Sequence, residues 1–166
     1  MNISIRRLTA DDWRELSQIG LKALQTDPLV FGSNYETETR CAEADWRVRL
    51  ESDDSAIFVI FAGDEPIGMT GVSVWRDDPT RRTAIFWGSW LEPKFRGKGL
   101  SDSMYQARLE WARGHPTIER IIVSRRASNP ASKFANQKHG FKSTRTHEKV
   151  WADGAVKDEV CYELLL

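Results

Sequence analysis

Residues 90–101 read Trp90-Leu91-Glu92-Pro93-Lys94-Phe95-Arg96-Gly97-Lys98-Gly99-Leu100-Ser101, and what this stretch connects decides the fold around it. Upstream, Thr83 to Leu91 (TAIFWGSWL) is apolar and of strand length. Downstream, Leu100, Met104, Ala107 and Trp111 recur on one face of a helix, with Asp102, Gln106, Glu110 and Arg113 off it, until His115-Pro116 stops it. The stretch therefore links a strand end to a helix start. Unpaired amides at a helix start, at the positive end of its dipole, favour an anion. Gly97 and Gly99 lack a Cβ, so a phosphate can approach the backbone and the loop can take positive φ. Arg96 and Lys98 add positive charge, and no acid occurs from Pro93 through Ser101. The alternative is a glycine-rich connection with two solvated basic residues, because short glycine motifs recur by chance. Known nucleotide loops do not match. A Walker loop would need glycine where Glu92 stands, and a dinucleotide fingerprint would need it where Asp102 stands.

Outward from this link, Ile3 and Ile5 alternate as a first strand, and Ala10-Asp11-Asp12 opens a helix carrying Trp13, Leu16, Ile19 and Ala23. Phe31 to Leu50 is polar and broken by Gly32, with a second helix in its latter half where Trp46 and Leu50 are four apart. Ala56 to Ala62 is an uninterrupted apolar run, as for a strand covered on both faces. Gly63-Asp64-Glu65-Pro66 turns it into a return strand, Ile67 to Trp75. Beyond the central helix, Ile121-Ile122-Val123 is a buried strand. Asn129-Pro130 and His139-Gly140 bracket a shorter helix, and Phe141–Trp151 with Glu159–Leu166 form a last hairpin around Asp153-Gly154. The order is β-α-α-β-β-β-α-β-α-β-β. It predicts an α/β fold with a single mixed, mostly antiparallel sheet flanked by helices, in one domain over residues 1–166. The strand–helix–strand unit from Ala84 to Val123 is expected to be parallel and right-handed.

Composition bounds the partners. The 166 residues carry 24 basic and 24 acidic side chains, a net charge of zero that argues against a nucleic-acid track, which needs a basic excess. With 40% apolar and 29% charged residues the chain has enough apolar surface for a core. No apolar run approaches the roughly 20 residues that cross a bilayer, so no membrane partner is expected. Met1 to Arg7 does not read as a secretion signal, and Cys41 and Cys161 have no CxxC spacing. Both features point to a cytoplasmic, reducing location. His115, His139 and His147 lack ligand-like spacing, so no metal is expected.

Arg96-Gly97-Lys98-Gly99-Leu100-Ser101 resembles the acyl-CoA motif Q/R-x-x-G-x-G/A of the GNAT superfamily of N-acetyltransferases, with Ser101 departing from the last position. Asn129, Ser132 and Gly140-Phe141 match a second region of that family, and the element order is the family's own. The resemblance implies a GNAT-like acyl-CoA N-acyltransferase that moves the acetyl group of acetyl-CoA, a cosubstrate, to a primary amine of a small molecule or peptide by direct attack. In it, backbone amides of Arg96 through Ser101 hold the pyrophosphate of coenzyme A, and Trp90, Leu91 and Glu92 pair with the pantetheine arm as a peptide pairs with a sheet edge. Asn129 offers its side chain to the same arm, or caps its helix. The alternative function is an acyl-CoA-binding sensor or structural protein without transfer. Its support is that Asn136 stands where many members carry a tyrosine acid, and an amide cannot act as one.

Attack by an amine with a pKa near 10 requires loss of a proton. Glu92, the first acid after the Thr83–Leu91 strand, is the leading candidate base, and Asn136 is a candidate for orienting the sulfur or a water. Tyr35 and Glu36, with Glu38, lie where the family places its acceptor pocket, or form a solvated first helical turn. Trp87 and Trp90 fall on opposite faces of one strand by period two; Trp87 walls the acceptor pocket or packs in the core. Asp77 and Asp78 read as turn residues, Glu159 as a carboxylate reaching the acceptor from the other side, and Arg125 and Arg126 as a basic loop near the cosubstrate. Leu164-Leu165-Leu166 reads as an exposed edge and leaves a homodimer open.

Overall fold

The apolar run around residue 59 demands cover on both faces. In the computed structural model it forms β2 (Ser55–Ala62), with Val59 and Ile60 sealed from solvent. The structure describes residues 2–29, 32–151 and 153–166; Phe31, which opens the polar segment, lies outside them. β2 pairs antiparallel with β1 (Ile3–Arg7) and with β3 (Glu65–Val74), and β3 pairs antiparallel with β4 (Thr83–Leu91). β5 (Arg120–Arg126) runs parallel to β4; β7 (Val156–Leu165) lies between β5 and the edge strand β6 (Lys142–Val150). The order β1-β2-β3-β4-β5-β7-β6 is the mixed, mostly antiparallel sheet the sequence predicts, with its one parallel pair at the predicted crossover.

One face is covered by α1 (Trp13–Thr26), α2 (Tyr35–Glu38) and α3 (Glu43–Val48). Leu16, Ile19, Ala23 and Trp46 pack there on Ile57, Val59, Phe61, Met69 and Trp90. α2 is a helical turn beyond the single helix expected between residues 31 and 50. The Asn34 side chain starts it by accepting from the Thr37 amide. The other face carries α4 (Leu100–Gly114) and α5 (Pro130–Lys138), with Tyr105, Leu109 and Ala112 on Val72, Ala84, Phe86, Ile121, Phe141 and Tyr162.

Two readings need correction. The buried face of α4 is Met104, Tyr105, Arg108, Leu109 and Ala112, rotated from the Leu100–Met104–Ala107–Trp111 stripe. Apolar periodicity overlooks Tyr105 and Arg108, which are buried because they hydrogen-bond inside. Trp87 and Trp90 share a face instead of opposing. Gly71 pairs with Trp87 and Met69 with Trp90, so two steps on β3 face three on β4, and Gly88 takes a left-handed φ of 62° at this bulge. The extra residue cancels the alternation: Trp90 packs with Met69, and the Trp87 ring lies over Gly71 and donates to Ser73 Oγ. Leu164 and Leu165 end β7 beyond its pairing with β6, which stops at Glu163, and Leu165 and Leu166 are exposed as the sequence reading expects.

A β-branched side chain at Gly88 is strained in this backbone conformation by about 1–2 kcal/mol. Gly88→Val is expected to lower the unfolding free energy by that amount, read as a lower urea midpoint at unchanged slope, and a wild-type midpoint would show that the bulge does not need glycine.

Candidate functional site

The link after β4 begins with a 3-10 turn at Pro93–Phe95, whose Phe95 is buried against Ile60, Ile67 and Met104 and pins the loop to the core. Beyond it Gly97 and Gly99 have φ of 73° and 78°, and a Cβ built on either would meet no atom within 4 Å. The space above both residues is open, and the backbone conformation favours glycine. The Arg96 amide donates to the Pro93 carbonyl and the Asp102 amide to Gly99. The amides of Gly97, Lys98, Gly99, Leu100 and Ser101 are left without a backbone partner among the described residues. The run of amides without a backbone acceptor is thus one residue shorter than the Arg96–Ser101 span read from sequence.

The Arg96 side chain is also engaged within the fold. Its Nε donates to the Leu91 carbonyl at 2.8 Å and its Nη2 to Asp27 Oδ2 at 2.6 Å, so the guanidinium braces the loop against the end of α1. The same Asp27 oxygen accepts from Trp90 Nε1 at 2.7 Å. Burial pushes the Asp27 carboxyl up, but the Trp90 and Arg96 donors outweigh it and hold it below the usual carboxylate range. Among the described residues Lys98 is the exposed basic residue of the loop that makes no ion pair, its Nζ 5.5 Å from the Phe95 ring; a hollow beside it is lined by Ala62, Glu65, Lys94 and Phe95.

Glu92 is not placed as a base. Its carboxylate meets Lys22 at 2.7 Å and Lys94 at 3.1 Å. Burial raises its proton affinity, the two ammonium groups lower it further, and the net is below the usual range. A carboxylate held as an anion by two cations is a poor proton acceptor, and this one ties α1 to the loop. Asn136 is likewise enclosed, fully buried, with Oδ1 accepting from the Tyr105 hydroxyl at 2.6 Å and Nδ2 without a partner. Asn129 is the N-cap of α5, its Oδ1 accepting from the Ser132 amide at 3.1 Å, which leaves its own N–H groups free.

β4 and β5 pair only from Thr83↔Arg120 to Ile85↔Ile122; past that point the two strands part. Beneath the fork lies a polar group absent from the sequence reading: Thr70 Oγ1 and Ser89 Oγ at 2.7 Å, with Arg108 Nη1 donating to Ser89 at 3.0 Å. A charged residue one turn after Met104 on the inward side of α4 was its only signal. On the opposite face Trp87 is 37% exposed. Tyr35 is half-buried and Glu36 exposed on α2, while Glu38 is bound by Arg49 and Ser33. Glu159 accepts from Ser124 at 2.7 Å and lies 2.9 Å from Lys149 and 3.0 Å from His147. His147, Glu159 and Cys161 come within 4.8 Å of one another across the hairpin, although their sequence spacing shows no ligand pattern. Asp78 caps its own turn through Thr80 and Arg82, as expected. Arg125 donates to Tyr162 and the Ala127 carbonyl, and Arg126 pairs with Asp153, so both are engaged within the fold.

Among the described residues no helix is long and apolar enough to cross a membrane. A family model described as the acetyltransferase (GNAT) family matches residues 13–141. A comparison with curated protein sequences gives no match. Among solved structures, a GNAT-family acetyltransferase from Streptococcus pneumoniae is 18% identical with a TM-score of 0.84, over 99% of this chain and all (100%) of that one. An N-acetyltransferase from Staphylococcus aureus Mu50 is 22% identical with a TM-score of 0.80, over 99% of both chains. YncA from Salmonella typhimurium, solved with its cofactor acetyl-CoA, is 19% identical with a TM-score of 0.79, over 99% of this chain and 94% of its own.

The Asp27 network has a pH signature. A carboxyl whose pKa is depressed by folding adds stability that is present above its unfolded value, about 3.9, and is lost as pH falls through the folded value. Asp27→Asn is therefore expected to cost about 1–2 kcal/mol at pH 7 and progressively less below pH ~4, read from urea unfolding at both ends. A gap that stays constant with pH would show that the charge of Asp27 is not what stabilises the loop.

Proposed function

Because the chain belongs to the GNAT acetyltransferase family, we propose that it transfers the acetyl group of acetyl-CoA to a primary amine of a small molecule or peptide by direct attack. The observation that carries this reading is the parting of β4 from β5 after three residue pairs, directly upstream of a loop with open amides. A free strand edge suits the amide-bearing pantetheine arm, which pairs as an added strand. The amides from Gly97 to Ser101, at the positive end of the α4 dipole and beside Lys98, suit a pyrophosphate. Asn129, with its carbonyl oxygen spent on the cap, has N–H groups to offer the same arm.

The acceptor enters from the α1–α3 face. Trp87, held flat over Gly71 by its bond to Ser73, supplies an apolar wall, and Tyr35 and Glu36 supply contacts from α2. Glu159 lies on the same side of the sheet as Ser124, with its carboxylate held by Lys149. Bound coenzyme A supplies the activated acyl carbon; this chain's residues hold it, leave the strand edge open and flank the acceptor.

Acetyl-CoA at about 100 times its dissociation constant is expected to stabilise the protein by about 2.7 kcal/mol in a thermal-shift measurement, and Gly99→Val to abolish the effect. Thiol release is then expected with at least one member of an amine and peptide panel. No shift sinks the cosubstrate assignment, whereas a shift without thiol release from any amine favours an acyl-CoA-binding sensor.

A further inference from the structure

Helix α4 carries a positive charge into the core with no anion to meet it. Arg108 is 2% exposed; its Nε donates to the Met104 carbonyl at 3.1 Å and its Nη1 to Ser89 Oγ at 3.0 Å. The guanidinium carbon lies 4.1 Å from the centre of the Phe86 ring and 4.8 Å from that of Tyr105. Among the described residues every group that meets it is neutral: a carbonyl, a hydroxyl and two ring faces. Burial lowers its proton affinity to about 10, which leaves it a cation at neutral pH. A buried charge without a partner is expensive, and mutual compensation is the usual condition of its survival in a core.

An unused donor lies one residue further, across Tyr105. The Tyr105 hydroxyl, on the residue whose ring faces Arg108, donates to Asn136 Oδ1, while Asn136 Nδ2 is buried without an acceptor. The stack is closed on the outside by His139, parallel to Tyr105 at 4.1 Å and 3.0 Å from Asp102. α4 thus holds a guanidinium that has neutral acceptors and no anion behind the fork of β4 and β5, and α5 an amide N–H without an acceptor. Ser89 joins this interior to the surface: it is exposed, sits one residue past the Gly88 bulge, and lies where β4 no longer pairs with β5. Such a set of donors is complementary to a negative charge arriving from the fork.

We propose that Arg108, acting across Ser89, stabilises the sulfur of coenzyme A as it departs as a thiolate. The assignment rests on the acetyl-CoA reading above and replaces proton donation by electrostatics. The amine nitrogen attacks the thioester carbon, a C–N bond forms, and the carbonyl π pair moves to oxygen. When that pair returns, the C–S bond breaks and its electrons stay on sulfur. The amine proton leaves to water, Arg108 remains protonated throughout, and the products are an amide, a thiolate and a proton. A thiol is acidic enough, with a reference pKa near 8.5, to leave as an anion next to a fixed cation.

The test titrates the thiol of bound coenzyme A by its thiolate ultraviolet absorbance, with desulfo-coenzyme A as blank and as a check on binding. On the wild type the bound thiol is expected to ionise about one pH unit below the free one, a tenfold gain in thiolate fraction. Arg108→Met is expected to return it to the free value while desulfo-coenzyme A still binds. Should Arg108→Met fail to fold, Arg108→Gln, which keeps hydrogen-bond donors and loses the charge, takes the same reading. A wild-type thiol that titrates like the free one, or a lowered one unchanged by either substitution, overturns the assignment. No desulfo-coenzyme A binding to the wild type instead removes the cosubstrate reading beneath it.

Discussion

Strand β4 hydrogen-bonds to β5 over only three residue pairs, and the candidate site lies beyond the third. On its other side β4 stays joined to β3 as far as Leu91, so it remains anchored while one edge goes free. Gly88 makes this tolerable by taking up an extra residue, which bends the strand and re-aims its last three side chains. Trp87 and Trp90 end on one face as a result, and Ser89 reaches the other, where Thr70 and Arg108 receive it. One left-handed glycine thus fixes both the face on which Trp87 lies and the polar group beneath the fork.

The loop after β4 is held from two directions. Phe95 anchors it by burial, and a set of charged bonds from α1 anchors it from outside: Lys22 to Glu92, and Asp27 to both Trp90 and Arg96. Of the charged residues that sequence assigns to the site, Glu92 and Arg96 are consumed in this bracing. The unspent donors are backbone amides at the start of α4, and amides need no side-chain charge to attract phosphate. A chain of zero net charge can for this reason serve a small anionic ligand without a basic surface.

The fold was legible because its signals are local and strong. An apolar run at residues 56–62, two glycines after a strand and the Asn-Pro and His-Gly brackets of α5 each restrict the backbone by sterics or burial alone. The candidate site was legible only in part. Gly97 and Gly99 are read from the chain because their need is conformational, and Asn129 because an Asn before Pro has few roles. The stripe on α4 was misplaced because periodicity counts apolar residues, whereas Tyr105 and Arg108 are buried by bonds to residues distant in sequence.

The sequence by itself determined the strands and helices, their order, the single crossover and the glycine loop at a helix start. Those depend on spacing, turn chemistry and residue volume, all of which act between near neighbours. Only the tertiary structure decided that Glu92 is an ion-paired strut, that Asn136 is enclosed, that two tryptophans share a face, and that Arg108 lies uncompensated behind the fork. Each depends on which distant group comes within about 3 Å, the range over which a hydrogen bond or ion pair forms, and periodicity along one chain does not encode that distance.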